Sequence, residues 1–381
     1  MGEERGDSRD PRRRPRQEGR SPKGGAADPS KGHTSGSPSQ RRGPNVLTLL
    51  PAPGRRTEPF HDRLSLGPDD LRDLYRGFLV ARGVDAQCSS WHQAGRIAFW
   101  VPSSGNEAID FGTARASESA DWLFPSMRHL GLALARGITA QQLFDAVLGN
   151  ANDPSRGRQL PTGLGFLERN LVPVSSGLAT QLVHAAGCAA AMRLRGERSA
   201  VLAYCGIGAT QTSDFGAALD VARLRKAPVV FVCGQNPGVE PAKPALTAQA
   251  QARGIPAARV DGTDVFAMLK ASRDALARAK RGDGASLIEA IRPKASPTSN
   301  GSPADRFDPI ERLRHYVLET GTLKEDDLAH VEDEIRRELE EGAAAALETP
   351  KPPASSRFDD VWSEEPLTLT EQRSPDAPVL Y

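Results

Sequence analysis

The chain has 381 residues, room for one large domain or two small ones, and its 49 Lys and Arg against 48 Asp and Glu leave a formal charge of +1. That balance argues against a nucleic acid or a strongly acidic partner for the chain as a whole. No apolar stretch reaches the roughly 18 residues needed to span a bilayer, and the first apolar cluster, near Leu47, lies too far along for a signal peptide. Cys88, Cys188, Cys205 and Cys233 form no C-x-x-C pair, which suits a reducing, cytoplasmic setting.

Residues 1–58 are rich in Arg, Gly, Pro and Ser and lack the apolar residues that would offset chain entropy, so they are expected to form a disordered basic tail. Acidic residues are interspersed in its run DPRRRPRQEGR, and no aromatic is there to stack on a base, so it reads as a solvated tail. A folded domain is expected over 59–345 and an extended tail over 346–381. The domain opens with PDDLRDLYRGFLVARGV, an Asp-capped helix with Leu71, Leu74, Phe78 and Leu79 at helical spacing. Helices are also expected over SSGNEAIDFGTARA and PSMRHLGLALARG. The segment SSGLATQLVHAAGCAAAMRLRG is small and apolar on every side, which predicts a buried helix with His184 as a packed core residue.

The pattern then changes. SAVLAYC, APVVFVC, AARV and ASLIEAI are short apolar runs separated by the helical segments SDFGAALDVARLRK and DVFAMLKASRDALARAK. This alternation predicts an α/β fold, a doubly wound, mostly parallel sheet flanked by helices. Ligands of such sheets bind at the carboxyl ends of the strands, here CGIGAT, CGQNPG, VDGTD and IRPKASPTSNG. Two helices, PIERLRHYVLETG and KEDDLAHVEDEIRRELEEGAAAA, complete the domain. GIG alone is a weak dinucleotide fingerprint, because it has no third glycine at the right spacing. The C-x3-H spacing in CSSWH stands without a second pair, so zinc is not implied.

Seven blocks in order, FWVPSSGNEA, DWLFPSMRHLGLALARG, GNANDPSRGRQLP, NLVPVSSGLATQLVHAAG, GATQTSDFGAALDVA, KAPVVFVC and FDDVW, resemble the alpha subunits of thiamine-diphosphate-dependent 2-oxo acid dehydrogenases, most of all the branched-chain (2-oxoisovalerate) members. The resemblance covers about residues 65 to 375. It implies thiamine diphosphate and magnesium as cofactors, an α2β2 assembly with a beta subunit, and transfer of the acyl group to a lipoyl acyltransferase component. It places Arg128, Ser176, Leu178, Gly206, Gly208 and Ala209 around the cofactor and Asn236 on the metal.

The sequence departs from that family where the cation would be held. The family's metal-binding acid between two glycines is Ile207, and the first of its paired asparagines is Gln235, leaving Asn236 as a remnant. A hard divalent cation needs oxygen ligands with at least one carboxylate, and Ile207 offers none. The family's Tyr-Arg reads Met127-Arg128, and its two histidines align with Gly163 and Thr298, so no catalytic residue is assigned. Gly177 replaces a proline between Ser176 and Leu178, and Asp214, the nearest acid, is expected to cap or pack the following helix. Three readings stay open: a dehydrogenase subunit with impaired or lost magnesium and thiamine diphosphate binding, a catalytically inactive scaffold or regulator that keeps the beta-subunit surface, and a chain with a changed ligand held by Arg128 and the GIGAT backbone without metal.

Overall fold

Six parallel strands carry the structure, a computed structural model that describes residues 46–50, 58–235, 245–292, 307–360 and 362–373. They are β1 (Val46–Leu47), β2 (Trp122–Phe124), β3 (Val201–Gly206), β4 (Val229–Gly234), β5 (Ala257–Asp261) and β6 (Ser286–Ile291), in the spatial order β1-β5-β6-β4-β3-β2. The four central strands coincide with the apolar runs expected from sequence. The helices are α1 (Phe60–Arg63), α2 (Pro68–Gln93), α3 (Glu107–Ala116), α4 (Gly131–Ala135), α5 (Ala140–Leu148), α6 (Thr180–Leu194), α7 (Ser213–Leu224), α8 (Leu246–Ala252), α9 (Val265–Lys280), α10 (Pro309–Glu319), α11 (Glu325–Glu348) and α12 (Leu367–Arg373).

Alternation along each strand divides the core into two layers. Leu202, Tyr204, Val230, Val232, Ile288 and Ala290 face a cluster that includes Phe78 of α2, Ile109 of α3 and Phe266 of α9. Val201, Ala203, Cys205, Val229, Phe231, Cys233 and Leu287 face the opposite cluster, with Leu182 of α6, Phe215 of α7 and Leu246 of α8. Both faces of the sheet are therefore covered, which is why its strands read as continuous apolar runs. Close packing fixes one glycine in particular: a Cβ on Gly112 of α3 would lie 2.8 Å from Met268 Cβ and 3.0 Å from the Val265 carbonyl of α9.

Several expectations need correction. Residues 46–50, inside the segment expected to be disordered, are ordered: β1 pairs with β5 and Leu50 is buried. Residues 1–45 and 51–57 lie outside the described residues. The helix α6 is not buried all round. His184 and Gly187 are exposed on it and Leu194 is 85 % exposed, so His184 is not a core residue. The α2 helix is capped at Gly67, whose N–H donates to Asp70 Oδ2 at 2.8 Å. The third expected helix shortens to α4, and the C-terminal segment contains α12.

A buried ionic knot ties β1 to the sheet. Arg312 of α10 donates to Asp261 Oδ2 at 2.9 Å and Thr263 Oγ1 at 2.6 Å, and reaches the Leu50 carbonyl at 3.2 Å. Asp264 accepts from the N–H groups of Leu49 and Leu50, both at 2.6 Å, and from Ala267 at 2.9 Å, capping α9. Burial raises the Asp264 carboxyl above its ordinary range, against the pull of Arg312. Removing one partner of such a network strands the others. Arg312→Met is accordingly expected to lower stability by about 3–5 kcal/mol in urea unfolding, and a loss below about 1 kcal/mol would show the knot to be dispensable. The thiols offer an independent check. Cys88, Cys205 and Cys233 are buried and Cys188 is half-buried. Burial pushes the Cys88 thiol up, and Cys205 together with burial does the same to Cys233. A thiol reagent should modify only Cys188 before the protein unfolds.

Candidate functional site

β3 and β4 end side by side, Gly206 opposite Gly234, and Gly234 stands opposite Ala290 of β6. With neighbouring strands about 4.8 Å apart, these three carboxyl ends lie within about 10 Å. After Gly206 the chain turns at once into a 3-10 segment, Ile207–Gln211, where Thr210 Oγ1 donates to the Ile207 carbonyl at 2.6 Å. Thr212, not Asp214, caps α7: its Oγ accepts from the Phe215 N–H at 3.3 Å. Asp214 lies in the first turn of that helix.

The residues of this turn differ sharply in exposure. Gly208 is exposed, with nothing within 4 Å of the position a Cβ would take, so its backbone is open to a ligand. Ala209 is buried. Ile207 is 3 % exposed and belongs to the apolar cluster of Cys205, Phe215, Cys233 and Leu246. Gln181, at the start of α6, donates from Nε2 to the Tyr204 carbonyl at 2.9 Å, and its buried Oε1 has no partner. That bond places the amino end of α6 at the carboxyl edge of the sheet. Ser176 and Leu178 lie on the exposed turn just before it, Leu178 at 68 % exposure, with Ala179 at φ +65.

Arg128 follows the end of β2 and lies at the same edge. It is exposed, its Nη1 donates to the Pro102 carbonyl at 2.8 Å, and its own carbonyl accepts from Asn106 Nδ2 at 2.7 Å. Asn106 precedes α3 and also accepts from Arg292 Nη1 at 2.5 Å. Arg292, one residue beyond β6, donates Nη2 to the Ser104 carbonyl at 3.2 Å. A Cβ on Gly105, at φ +85, would lie 2.8 Å from that Nη2, so only glycine admits the guanidinium there.

Two buried acids stand behind these cations, each engaged. Glu107 Oε1 accepts from Arg82 Nε at 2.7 Å, and its Oε2 has no hydrogen-bond partner among the described residues. Burial raises its carboxyl above the ordinary range despite Arg82. Arg82 also pairs with Asp308 at 3.0 Å. Asp110 contacts His129 Nδ1 at 2.5 Å and accepts from the Gly131 N–H at 3.0 Å, and burial raises its carboxyl as well. His129 tilts against Tyr204 and borders a small cavity with Trp100, Met127 and Thr162, whose buried hydroxyl has no partner.

Of the residues singled out in the sequence, Gly206, Gly208, Ala209 and Arg128 are brought to the carboxyl edge, as is the turn carrying Ser176 and Leu178. Asn236 and Thr298 lie outside the described residues. Gly163 has little room for a larger side chain: a Cβ would meet the Leu160 carbonyl at 3.0 Å and Gln159 Oε1 at 3.2 Å. Sequence reasoning missed Asn106, Arg292 and the Asp110–His129 pair. Arg292 closes the strand ASLIEAI and His129 directly follows Arg128, which are the only signals either one leaves. Among the described residues, no three His, Cys, Asp or Glu side chains are grouped to hold a metal ion.

The sequence model of the dehydrogenase E1 component family matches residues 75–355. The chain belongs to that family. Its relatives include the mitochondrial 2-oxoisovalerate dehydrogenase subunit alpha of Mus musculus, 31 % identical over 357 residues, covering 87 % of this chain and 80 % of the relative. The 2-oxoisovalerate dehydrogenase subunit alpha of Bacillus subtilis is 30 % identical over 325 residues, covering 80 % of this chain and 98 % of its own. The 3-methyl-2-oxobutanoate dehydrogenase subunit alpha of Mycobacterium tuberculosis is 31 % identical over 349 residues, covering 86 % and 92 %. The α/β sheet with helices on both faces is the architecture expected of an E1 alpha-type chain. No helix among the described residues is long and apolar enough to cross a membrane.

The burial of Ile207 has a measurable consequence. Ile207→Leu should be tolerated within about 1.5 kcal/mol. Ile207→Asp, which forces a carboxyl group into the apolar cluster, should cost about 3 kcal/mol or more. Equal stability of the two variants in urea unfolding would mean that this turn accommodates a solvated acid.

Proposed function

We propose that the chain is the alpha-type subunit of a branched-chain 2-oxo acid dehydrogenase assembly in which magnesium-dependent binding of thiamine diphosphate is impaired or lost. The observation that carries this is the buried Ile207 at the end of β3, where the family resemblance puts the metal-binding acid. In such an assembly the alpha chain pairs with a beta subunit as α2β2, and the acyl product passes to a lipoyl acyltransferase. When bound, thiamine diphosphate supplies the carbanion that attacks a 2-oxo acid and releases carbon dioxide.

The donor set does not suit magnesium. Among the described residues, a divalent ion at the ends of β3 and β4 would find backbone carbonyls and the Thr210 and Thr212 hydroxyls, both already donating to carbonyls of the same turn. The buried acids Glu107 and Asp110 are engaged by Arg82 and His129, and Glu289 of β6 by Arg259. No step is therefore routed through a bound metal in this chain.

A second reading, a scaffold or regulatory subunit without catalysis, draws support from the replacements at Ile207, Met127 and Gly163 together. Loss of one partner that orients a metal ligand typically weakens metal affinity about 10–100-fold, and removing the only carboxylate from the coordination sphere goes further. In both readings the domain of 59–345, together with β1, carries the partner surface.

The chain co-expressed with a beta-type subunit should form a stable heteromeric complex by size-exclusion chromatography with light scattering. Calorimetry on that complex should show no magnesium-dependent uptake of thiamine diphosphate. Micromolar, magnesium-dependent binding would reject the loss of metal binding. Failure to assemble with any beta-type subunit would reject the subunit role.

A further inference from the structure

A larger cavity, of about 720 Å³, opens among the helices, between α2, α3, α9, α11 and the turn from α4 to α5. Its size falls within the roughly 300–1,000 Å³ of small-molecule sites. Part of its lining is apolar: Leu74 and Val80 of α2, Phe111 of α3, Leu134 of α4, and Ile138. These side chains belong to the core or pack against it, so the lining is fixed. Gly77 of α2 makes room for the Phe111 ring, since a Cβ there would lie 2.3 Å from it.

The rest of the lining carries charge of both signs: Asp73, Arg76, Arg115, Arg273 and Glu338. Arg76 pairs with Glu338, and Arg115 with Asp70. Arg273 of α9 donates Nη1 to the Leu64 carbonyl at 2.7 Å. Neither Arg273 nor Asp73 has an ion-pair partner among the described residues. Burial lowers the Arg115 pKa and Arg273 acts in the same direction, so the two guanidinium groups are neighbours. Once the internal pairs are set aside, one guanidinium and one carboxylate remain. A ligand that matches both carries a carboxylate and an ammonium group. A guanidinium fork donates two parallel hydrogen bonds to a carboxylate, and an aliphatic body suits the apolar lining. A simple anion would be repelled by Asp73, and a simple cation by Arg115 and Arg273.

We propose that this cavity binds an aliphatic zwitterion, a free α-amino acid or a short peptide. Its carboxylate meets Arg273, its ammonium group meets Asp73, and its aliphatic part lies against Phe111, Leu134 and Ile138. The two sources share this chemistry and differ in the separation of their charges. None of the residues around the Ile207 turn lines the cavity, so the proposal stands apart from the question of the cofactor.

The test titrates the full-length chain with L-leucine and with leucyl-leucine by calorimetry. Saturable one-to-one binding is expected. Tighter binding of leucine assigns a free amino acid, and tighter binding of the dipeptide assigns a short peptide. 3-Methylbutylamine, which lacks the carboxylate, should bind at least about tenfold more weakly than leucine, as expected for losing a charge-assisted contact. 4-Methylpentanoate, which lacks the ammonium group, should bind about threefold more weakly, because Asp73 is exposed and its ion pairs are screened. Arg273→Leu should weaken leucine binding at least about tenfold and Asp73→Asn about threefold. Asp73→Asn should also erase the preference for leucine over 4-methylpentanoate. Arg223→Leu, exposed on α7 across the sheet, should change nothing. Thermal melts of each variant separate lost binding from lost folding. Three results overturn the proposal and leave the subunit reading intact: no saturable binding of leucine or the dipeptide, unaltered affinity in a folded Arg273→Leu, and 4-methylpentanoate bound as tightly as leucine.

Discussion

Charge at the carboxyl edge of the parallel sheet governs everything else about this chain. The sheet brings Gly206, Gly234 and Ala290 to one edge, with the start of α3 and the turn into α6 around them. An edge of that kind, walled by apolar layers on both faces, strengthens electrostatic interactions relative to open water. Whatever binds there must have its charge matched by fixed groups. Here the fixed groups are Arg82, Arg128 and Arg292 together with Glu107, Asp110 and Asp308. The carboxyl groups that could have held a metal are absent from the turn or drawn into ion pairs one layer back.

The packing explains why these cations can persist. Asn106 accepts from Arg292 through its side-chain oxygen and donates from its amide to the Arg128 carbonyl, so one residue sets the position of both. Arg82, Glu107 and Asp308 form a separate pair-wise chain that links α2, α3 and the cap of α10. At the carboxyl end of β5 Arg312 meets two acids, Asp261 and Asp264, and that knot closes the sheet with β1. Charge is thus paired at the end of β5, while among the described residues Arg128 and Arg292, after β2 and β6, donate only to neutral oxygens. Ile207 completes the apolar layer beneath α6 and α7.

Much of this was legible in the chain itself. β3 to β6 were, because a strand covered on both faces must be apolar at every position, and each ends in a glycine or a polar turn. Ile207 was legible for the same reason: a branched apolar residue between two glycines announces a turn that buries its side chain. β1 and β2, of two and three residues, are too short for any periodicity to mark. β1 depends on Arg312 and Asp264, more than 200 positions away. The exposed face of α6 was hidden because Ala and Gly carry no polarity to distinguish inside from outside. Arg292 looked like an ordinary charge after a strand, and its meaning depends on Asn106, which lies 186 residues earlier.

The most direct measurement is anomalous diffraction from a crystal of the assembled protein grown with manganese and thiamine diphosphate. Manganese takes the place of magnesium and scatters strongly enough to be located without ambiguity. The account predicts no anomalous peak at the ends of β3 and β4. A full-occupancy manganese peak between the Ile207 turn and the end of β4 would contradict it.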